Sequence, residues 1–154
     1  MIYSDFYITR EFKIEILPTD SINQSSDVLQ AGDKLISVFR PVGGPVAVES
    51  FKLSFQEELK HRYEVDTQNI DDLLFETITA FGVSLSNPPA DFTPDDAIEL
   101  VVVYIYKDQA TVVKVGSIGV KRRSPSKFME IFKEKSAPLG PGRDTNILLK
   151  AFNI

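Results

Sequence analysis

Two long apolar runs in the second half of the chain constrain its fold more than any other feature. IELVVVYIYK (98–107) and TVVKVGSIGVK (111–121) are rich in β-branched residues and are separated by a short turn-type segment. This spacing predicts an antiparallel hairpin. Because the centre of the first run is apolar at odd and even positions alike, we expect both faces of its sheet to be covered. Gly116 and Gly119 in the second run predict a bulge or a close backbone approach.

The first third of the chain predicts three more strands. Alternating apolar and polar residues in FYITREFKIEI (6–16) indicate a half-buried strand, and the polar residues 17–27 indicate a loop. KLISVFR (34–40) and VAVESFKLSF (46–55) are interpreted as two strands that form a hairpin around the tight turn 41–45.

Two helices complete the prediction. NIDDLLFETITAFG (69–82) has apolar residues at helical spacing, with Asn69 or Thr67 as the N-cap and Gly82 just past the end. SPSKFMEIFKEK (124–135) is interpreted as a second helix with a narrow apolar stripe. The remaining segments predict an irregular or helical connection at 56–66, a strand at 83–86, a loop at 87–96 with one helical turn at 93–96, a loop at 136–145 and a terminal strand at 147–154.

The predicted order of elements favours one fold class. Strands come first, then a helix, further strands, a second helix and a last strand, which is typical of an α+β protein. We therefore expect a mainly antiparallel sheet of about six to seven strands with two packed helices, in a single domain spanning 1–154.

Charge is distributed unevenly along the sequence. Residues 1–106 contain 7 basic and 18 acidic side chains, whereas residues 107–154 contain 10 basic and 4 acidic ones. The basic third contains the segment KRRSPSKF (121–128). These cations indicate a site for a nucleic acid or an acidic partner. The proposed binding residues are Lys121, Arg122, Arg123, Lys127 and Arg143.

The sequence shows few residues suited to catalysis. It has no cysteine, which excludes thiolate metal sites and cysteine nucleophiles. His61, the single histidine, lies between Lys60 and Arg62 and is interpreted as a solvated surface residue. No glycine fingerprint for nucleotides is present. We therefore predict no catalytic residues and no cofactor.

One acidic group has the oxygen ligands that magnesium prefers. It consists of Asp91, Asp95, Asp96 and Glu99. Asp95 and Asp96 are neighbours that would point in different directions on a helix. Acidic residues are also common at helix starts, so we interpret the group as a helix start and predict no metal site.

These observations favour a non-enzymatic protein that acts through its surfaces. The leading hypothesis is a subunit of a larger assembly, such as a viral, phage-tail or injection-machine component, with the terminal strand ILLKAFNI (147–154) as a partner-facing edge. We expect a protein partner, most simply further copies of the chain. One alternative is a nucleic-acid-binding protein that uses residues 121–127. Another is a small acidic inhibitor or immunity-type protein that masks a basic active site.

Neither a leader nor a membrane span is predicted. Charged residues stand within MIYSDFYITREF (1–12), where a signal peptide has its apolar core. The longest apolar stretch, LVVVYIY (100–106), has the length of a strand. We therefore expect a soluble protein in the cytoplasm or within a virion or other assembly.

Overall fold

The predicted fold class is confirmed. The computed structural model describes residues 4–7, 13–17, 23–42, 48–65, 69–85, 97–124, 127–140 and 146–153. Over these residues the protein is α+β, with two helices and strands that all pair antiparallel. The strands divide between two sheets, a division that the sequence analysis did not predict.

The larger sheet, here called the central sheet, is built around the predicted hairpin. Its strand order is β3-β4-β5-β6-β9. The first apolar run forms β5 and the second, as far as Val115, forms the neighbouring strand β6, whereas the end of the second run, from Gly119, belongs to another sheet. The first eight residues of β5 are buried, which confirms that both faces are covered. The bounds are β3 Asn23–Asp27, β4 Asp33–Val42, β5 Ala97–Tyr106, β6 Gln109–Val115 and β9 Leu148–Asn153.

A smaller sheet, here called the second sheet, packs against one face of the central sheet. Its order is β1-β2-β7-β8, with β1 Ser4–Tyr7, β2 Lys13–Leu17, β7 Gly119–Ser124 and β8 Lys127–Glu130. Val120 on β7 and Phe132 after β8 pack with Ile36, Val101 and Val112 of the central sheet. The chain therefore changes sheets between β6 and β7.

The helices cover the other face of the central sheet. They are α1 Val48–Val65 and α2 Ile70–Ser84. Phe51 and Phe55 on α1 contact Phe39 on β4 and Phe81 on α2, with ring centroids 5.0 to 5.9 Å apart in these pairs. This aromatic cluster joins both helices to the sheet. No helix of the described residues is both long enough and apolar enough to cross a bilayer.

Three predictions for the first half of the chain are wrong. β1 and β2 pair antiparallel, so no single strand runs through 6–16. Residues 23–27, assigned to a loop, form β3 against β4. The strand predicted at 46–55, and with it the hairpin, is replaced by α1, because Phe51, Phe55 and Leu59 recur every four residues and are buried while Leu53 is exposed.

The second helix was also predicted at the wrong place. Residues 124–135 contain the end of β7, then β8 and an irregular segment, because pairing with β7 extends the chain and Ile131 and Phe132 are buried beneath the central sheet. α2 itself is confirmed, with Asn69 as its N-cap, but it continues past Gly82 to Ser84, so the strand predicted at 83–86 does not begin at 83; residue 86 lies outside the described residues. The helical turn predicted at 93–96 lies outside the described residues.

Candidate functional site

The corner where the chain leaves the central sheet contains a cluster of charged and polar groups. β6 ends at Val115, and Gly116, Ser117 and Ile118 lead into β7. On the neighbouring strands, Arg40 of β4 stands directly opposite Glu99 of β5. We call Arg40, Glu99, Gly116 and Ser117 the corner cluster. The pairing of three strands assembles it from distant parts of the sequence.

Glu99 is the centre of this cluster and is only 2% exposed. Its Oε1 atom accepts hydrogen bonds from both Nε of Arg40, at 2.9 Å, and an Nη atom of the same guanidinium. Its Oε2 atom accepts from the backbone N–H of Ser117 and from the Ser117 hydroxyl, the latter at 2.7 Å. Arg40 also donates to the Ser117 Oγ atom at 3.0 Å. The buried charge is therefore paired and hydrogen-bonded, as buried charges must be.

Gly116 allows the Glu99 side chain to lie against the backbone. Its φ of +102° belongs to the region that favours glycine. A Cβ atom at this position would stand 2.5 Å from Cγ and 2.7 Å from Cβ of Glu99. The close backbone approach predicted at Gly116 is thus confirmed, and its partner is the buried acid.

The environment of Glu99 favours its ionised form. Burial by itself raises the pKa of this carboxyl, but the hydrogen bonds from Ser117 and the Arg40 guanidinium outweigh burial and hold the pKa below its ordinary value. Lys114 lies on the same face of the central sheet and is 7% exposed. Burial lowers the pKa of Lys114, and nearby carboxylates, Glu130 first and then Glu99, partly oppose that effect.

A second polar cluster lies at the opposite end of β4 and β5. Asp33, at the start of β4, accepts hydrogen bonds from the backbone N–H groups of Leu29 and Gln30 and from the hydroxyl of Tyr104, at 2.8 to 3.2 Å. Burial raises the pKa of the Tyr104 hydroxyl above its ordinary value. This arrangement satisfies a buried acid with neutral donors and closes the turn before β4.

A cleft between the two helices contains His61. The cavity has a volume of about 540 Å³ and is lined by Ser54, Glu57, Glu58, His61, Ala80, Phe81 and Ser84. His61 is exposed, as the sequence analysis expected for a surface residue. Glu58 on the same helix pairs with Arg62 at 2.7 Å.

The predicted basic site is only partly described. Lys121 and Arg122 lie on β7 and are half-buried. Lys121 stands in register between Glu15 of β2 and Glu130 of β8, and the Arg122 guanidinium lies 4.9 Å from the centre of the Phe152 ring. The side chains of Arg123 and Lys127 and the whole of Arg143 lie outside the described residues.

The acidic group considered as a magnesium site is also divided. Glu99 belongs to the corner cluster, whereas Asp91, Asp95 and Asp96 lie outside the described residues. Arg40 and Ser117, which the sequence analysis did not select, are the residues that bind Glu99. The available signal was Gly116, since a glycine within a strand pattern marks a close approach.

Comparison by sequence identifies no relative. No family model matches the chain, and no curated protein matches it significantly.

Comparison by structure finds close similarity to solved bacterial phosphatases. A serine/threonine phosphatase of S. agalactiae matches with a TM-score of 0.70 and 12% identity, over 93% of this chain and 75% of that chain. The serine/threonine phosphatase Stp1 from Staphylococcus aureus also has a TM-score of 0.70, at 10% identity, over 100% of this chain and 75% of that one. RsbX, solved in complex with magnesium, matches less closely, with a TM-score of 0.53 and 10% identity over 98% and 72% of the two chains.

The magnesium of RsbX prompts a test of the donor groups in this chain. Within the described ranges, no group of three or more histidine, cysteine, aspartate or glutamate side chains is placed to hold a metal ion. The buried carboxylate of the corner cluster is already paired with Arg40. The described residues therefore do not fit a magnesium site.

The structural matches overturn the prediction of a non-enzymatic subunit of a viral or other assembly. That prediction depended on the scarcity of catalytic motifs in the sequence, whereas the solved chains of the same architecture are phosphatases. Local motifs were a poor guide because the corner cluster of this chain is brought together by strand register, which leaves no compact pattern in the sequence. At identities of 10 to 14% the likeness establishes architecture. The chain has the fold of bacterial serine/threonine phosphatases.

Proposed function

We propose that this protein is a phosphatase that hydrolyses phosphate esters of serine or threonine on a partner protein. The observation that supports this proposal is the extent of the structural match, which has a TM-score of 0.70 over 93% and 100% of this chain for two bacterial serine/threonine phosphatases. A match over nearly the whole chain covers both sheets and both helices.

The corner cluster supplies groups suited to a phosphate ester. The Arg40 side chain is 19% exposed and the Ser117 residue is exposed. A guanidinium and a hydroxyl both donate hydrogen bonds to phosphate oxygens, and the guanidinium adds a positive charge. We place the substrate phosphate at the exposed edge of Arg40, beside Ser117.

The basic residues selected from the sequence extend this proposal to the partner. Lys121, Arg122, Arg123 and Lys127 lie on β7 and β8, directly after the corner. We propose that the positive charge of this segment attracts acidic side chains around the phosphorylated residue, which is how basic groups position a charged partner.

The test is release of inorganic phosphate from peptides that contain phosphoserine or phosphothreonine. The full chain is assayed with magnesium, with manganese and with a chelator, and a phosphotyrosine peptide measures selectivity. We expect hydrolysis of the phosphoserine and phosphothreonine peptides. We also expect Arg40→Lys to lower kcat/KM about tenfold, because lysine keeps the charge but cannot donate to Glu99 and to a phosphate at the same time as a planar guanidinium does.

The matched control is Arg62→Ala, which removes a guanidinium from the surface of α1 while leaving the corner cluster unchanged. It should retain the activity of the wild-type protein. Folded protein that releases no phosphate from either peptide under all three cation conditions would refute the proposed function.

A further inference from the structure

The corner cluster binds its carboxylate so completely that the acid has no remaining capacity for a ligand. A carboxylate offers about four acceptor positions. Oε1 of Glu99 receives two hydrogen bonds from Arg40, and Oε2 receives two from Ser117. A metal ion could bind Glu99 only by displacing one of these donors.

The packing around Glu99 keeps it in this position. The carboxylate is held by a backbone N–H on one side and by a residue of the adjacent strand on the other. The backbone of Gly116 lies against the Glu99 side chain and leaves no room between them even for a methyl group. Gly116 is itself held by its N–H, which donates to Oγ of Ser136 at 3.1 Å. A rotation of Glu99 towards another ligand would therefore disrupt the corner.

The electrostatic balance of the corner also disfavours a second cation. The single negative charge of Glu99 is neutralised by the guanidinium of Arg40. Lys114 lies on the same face of the sheet, where burial lowers its pKa and the charges of Glu130 and then Glu99 oppose that effect. Among the described residues, a divalent ion placed beside Glu99 would meet the guanidinium of Arg40, and like charges at short range repel strongly in a buried site.

We infer that the Arg40 guanidinium is the resident cation of the corner cluster and that it leaves no place for a divalent metal ion beside Glu99. RsbX, a solved chain of this architecture, is in complex with magnesium, whereas the described donor groups of this chain do not fit that ion. The inference concerns how the site is neutralised, and it holds whether or not the protein hydrolyses phosphate esters.

Thermal unfolding of the wild-type chain provides the first test. The midpoint is measured with magnesium or manganese chloride and with sodium chloride of equal ionic strength. A cation present at 100 times its dissociation constant would raise the midpoint by about 5–10 °C in a chain of this size. We expect a difference below about 1 °C, since an ion that does not bind the folded state does not stabilise it.

Two variants make the test specific to the corner. Glu99→Gln shows where any stabilising ion binds. If the metal raises the thermal midpoint of the wild-type chain but not of this variant, the ion binds at Glu99 and the inference is wrong. If the midpoint rises equally in both, the ion binds elsewhere and the inference is supported. Arg40→Asp replaces the guanidinium by a second carboxylate. We expect it to be destabilised in sodium chloride and to recover about 5–10 °C in magnesium or manganese, because two carboxylates and the Ser117 hydroxyl then face one point.

The wild-type measurement keeps the inference open to refutation if the variants fail to fold. Titration calorimetry of the wild-type chain with manganese then decides: stoichiometric binding, together with manganese-induced broadening of the Ser117 amide signal, overturns the inference. No binding supports it. Phosphate release is measured separately, so failure of the proposed function and failure of this inference are distinguishable.

Discussion

Glu99 and Asp33 are two buried acids on paired strands, yet they are stabilised by different chemistry. Glu99 faces the second sheet and is held by a guanidinium and by Ser117, whereas Asp33 faces the helices and is held by two backbone N–H groups and the Tyr104 hydroxyl. Asp33 begins β4 directly after a turn, whose free N–H groups are close by. Glu99 lies within a strand whose N–H groups already bond to neighbouring strands. The comparison shows that local backbone geometry decides which acid needs a cation.

The largest effect should follow from removal of that cation. We expect Arg40→Ala to lower the free energy of unfolding by about 3–5 kcal/mol, because it leaves a buried charge without its partner. Urea denaturation monitored by circular dichroism measures the change. The matched control is Arg62→Ala, which breaks the more exposed pair with Glu58 and should cost less than about 0.5 kcal/mol. Equal costs for the two variants would contradict the distinction between buried and exposed pairs.

Substitution of the glycine beside Glu99 should cost more stability than substitution of the glycine beside Asp33. Gly116→Ala combines a backbone of positive φ with a clash against Cβ and Cγ of Glu99, and we expect a loss of about 2–4 kcal/mol. Gly32, next to Asp33, has a φ of +86° but no atom within 4 Å of the added Cβ. Gly32→Ala should therefore cost only about 1–2 kcal/mol. Denaturation midpoints that fall in the reverse order would show that Glu99 moves away easily.

Loss of a single neutral donor should have a smaller effect. Tyr104→Phe removes the hydroxyl that donates to Asp33 at 2.8 Å and accepts from Nε2 of Gln30 at 3.0 Å, but it leaves two backbone donors to Asp33 in place. We expect a loss of about 1–2 kcal/mol in the free energy of unfolding. Tyr106→Phe, on the same strand at a half-buried position, serves as the control and should change stability by less than about 0.5 kcal/mol. A loss as large as that of Arg40→Ala would mean that both acids depend equally on one partner.

Acid titration gives the smallest expected effect and is specific to Glu99. The pKa of Glu99 in the folded protein is below its ordinary value of 4.5. As pH falls, the Glu99 carboxyl therefore takes up a proton in the unfolded chain before it does so in the folded protein. The stabilisation that Glu99 contributes is complete above the unfolded pKa and is lost as pH falls through the folded pKa. One group changes stability by at most about 1.4 kcal/mol per pH unit.

Urea midpoints of the wild-type chain and of Glu99→Gln, measured between neutral pH and pH 3, test this prediction. The wild-type curve should fall more steeply below the unfolded pKa, because the variant has no proton to take up at this position. Parallel curves would show that Glu99 does not have a lowered pKa.

Helix α1 shows where reasoning from the sequence failed. Phe51, Leu53 and Phe55 alternate as in a strand, but Phe51 and Phe55 are also four residues apart as on a helix face. The two periods coincide over such a short window, and the outcome depends on which face meets the aromatic cluster. In the structure Leu53 is 53% exposed while Phe55 is fully buried. Tertiary packing therefore selected the helix.

The corner cluster shows a second limit. Arg40 and Glu99 are 59 residues apart, and Glu99 and Ser117 are 18 apart. None of these residues belongs to a motif, so their chemistry appears only when the register of β4 and β5 is known. The acidic group in the sequence drew attention to Glu99 as a metal ligand, because a sequence shows the type of a side chain but not its partner.

The sequence by itself determined the covered hairpin of β5 and β6, the capped helix α2 and the α+β class, because hydrophobic period and capping act between residues close together in the chain. Tertiary structure alone decided the division into two sheets, the helical state of α1 and the pairing of Glu99 with Arg40. Each of these depends on contacts between distant segments. Such contacts decide the outcome where local preferences are nearly balanced, or where a buried charge must find its partner.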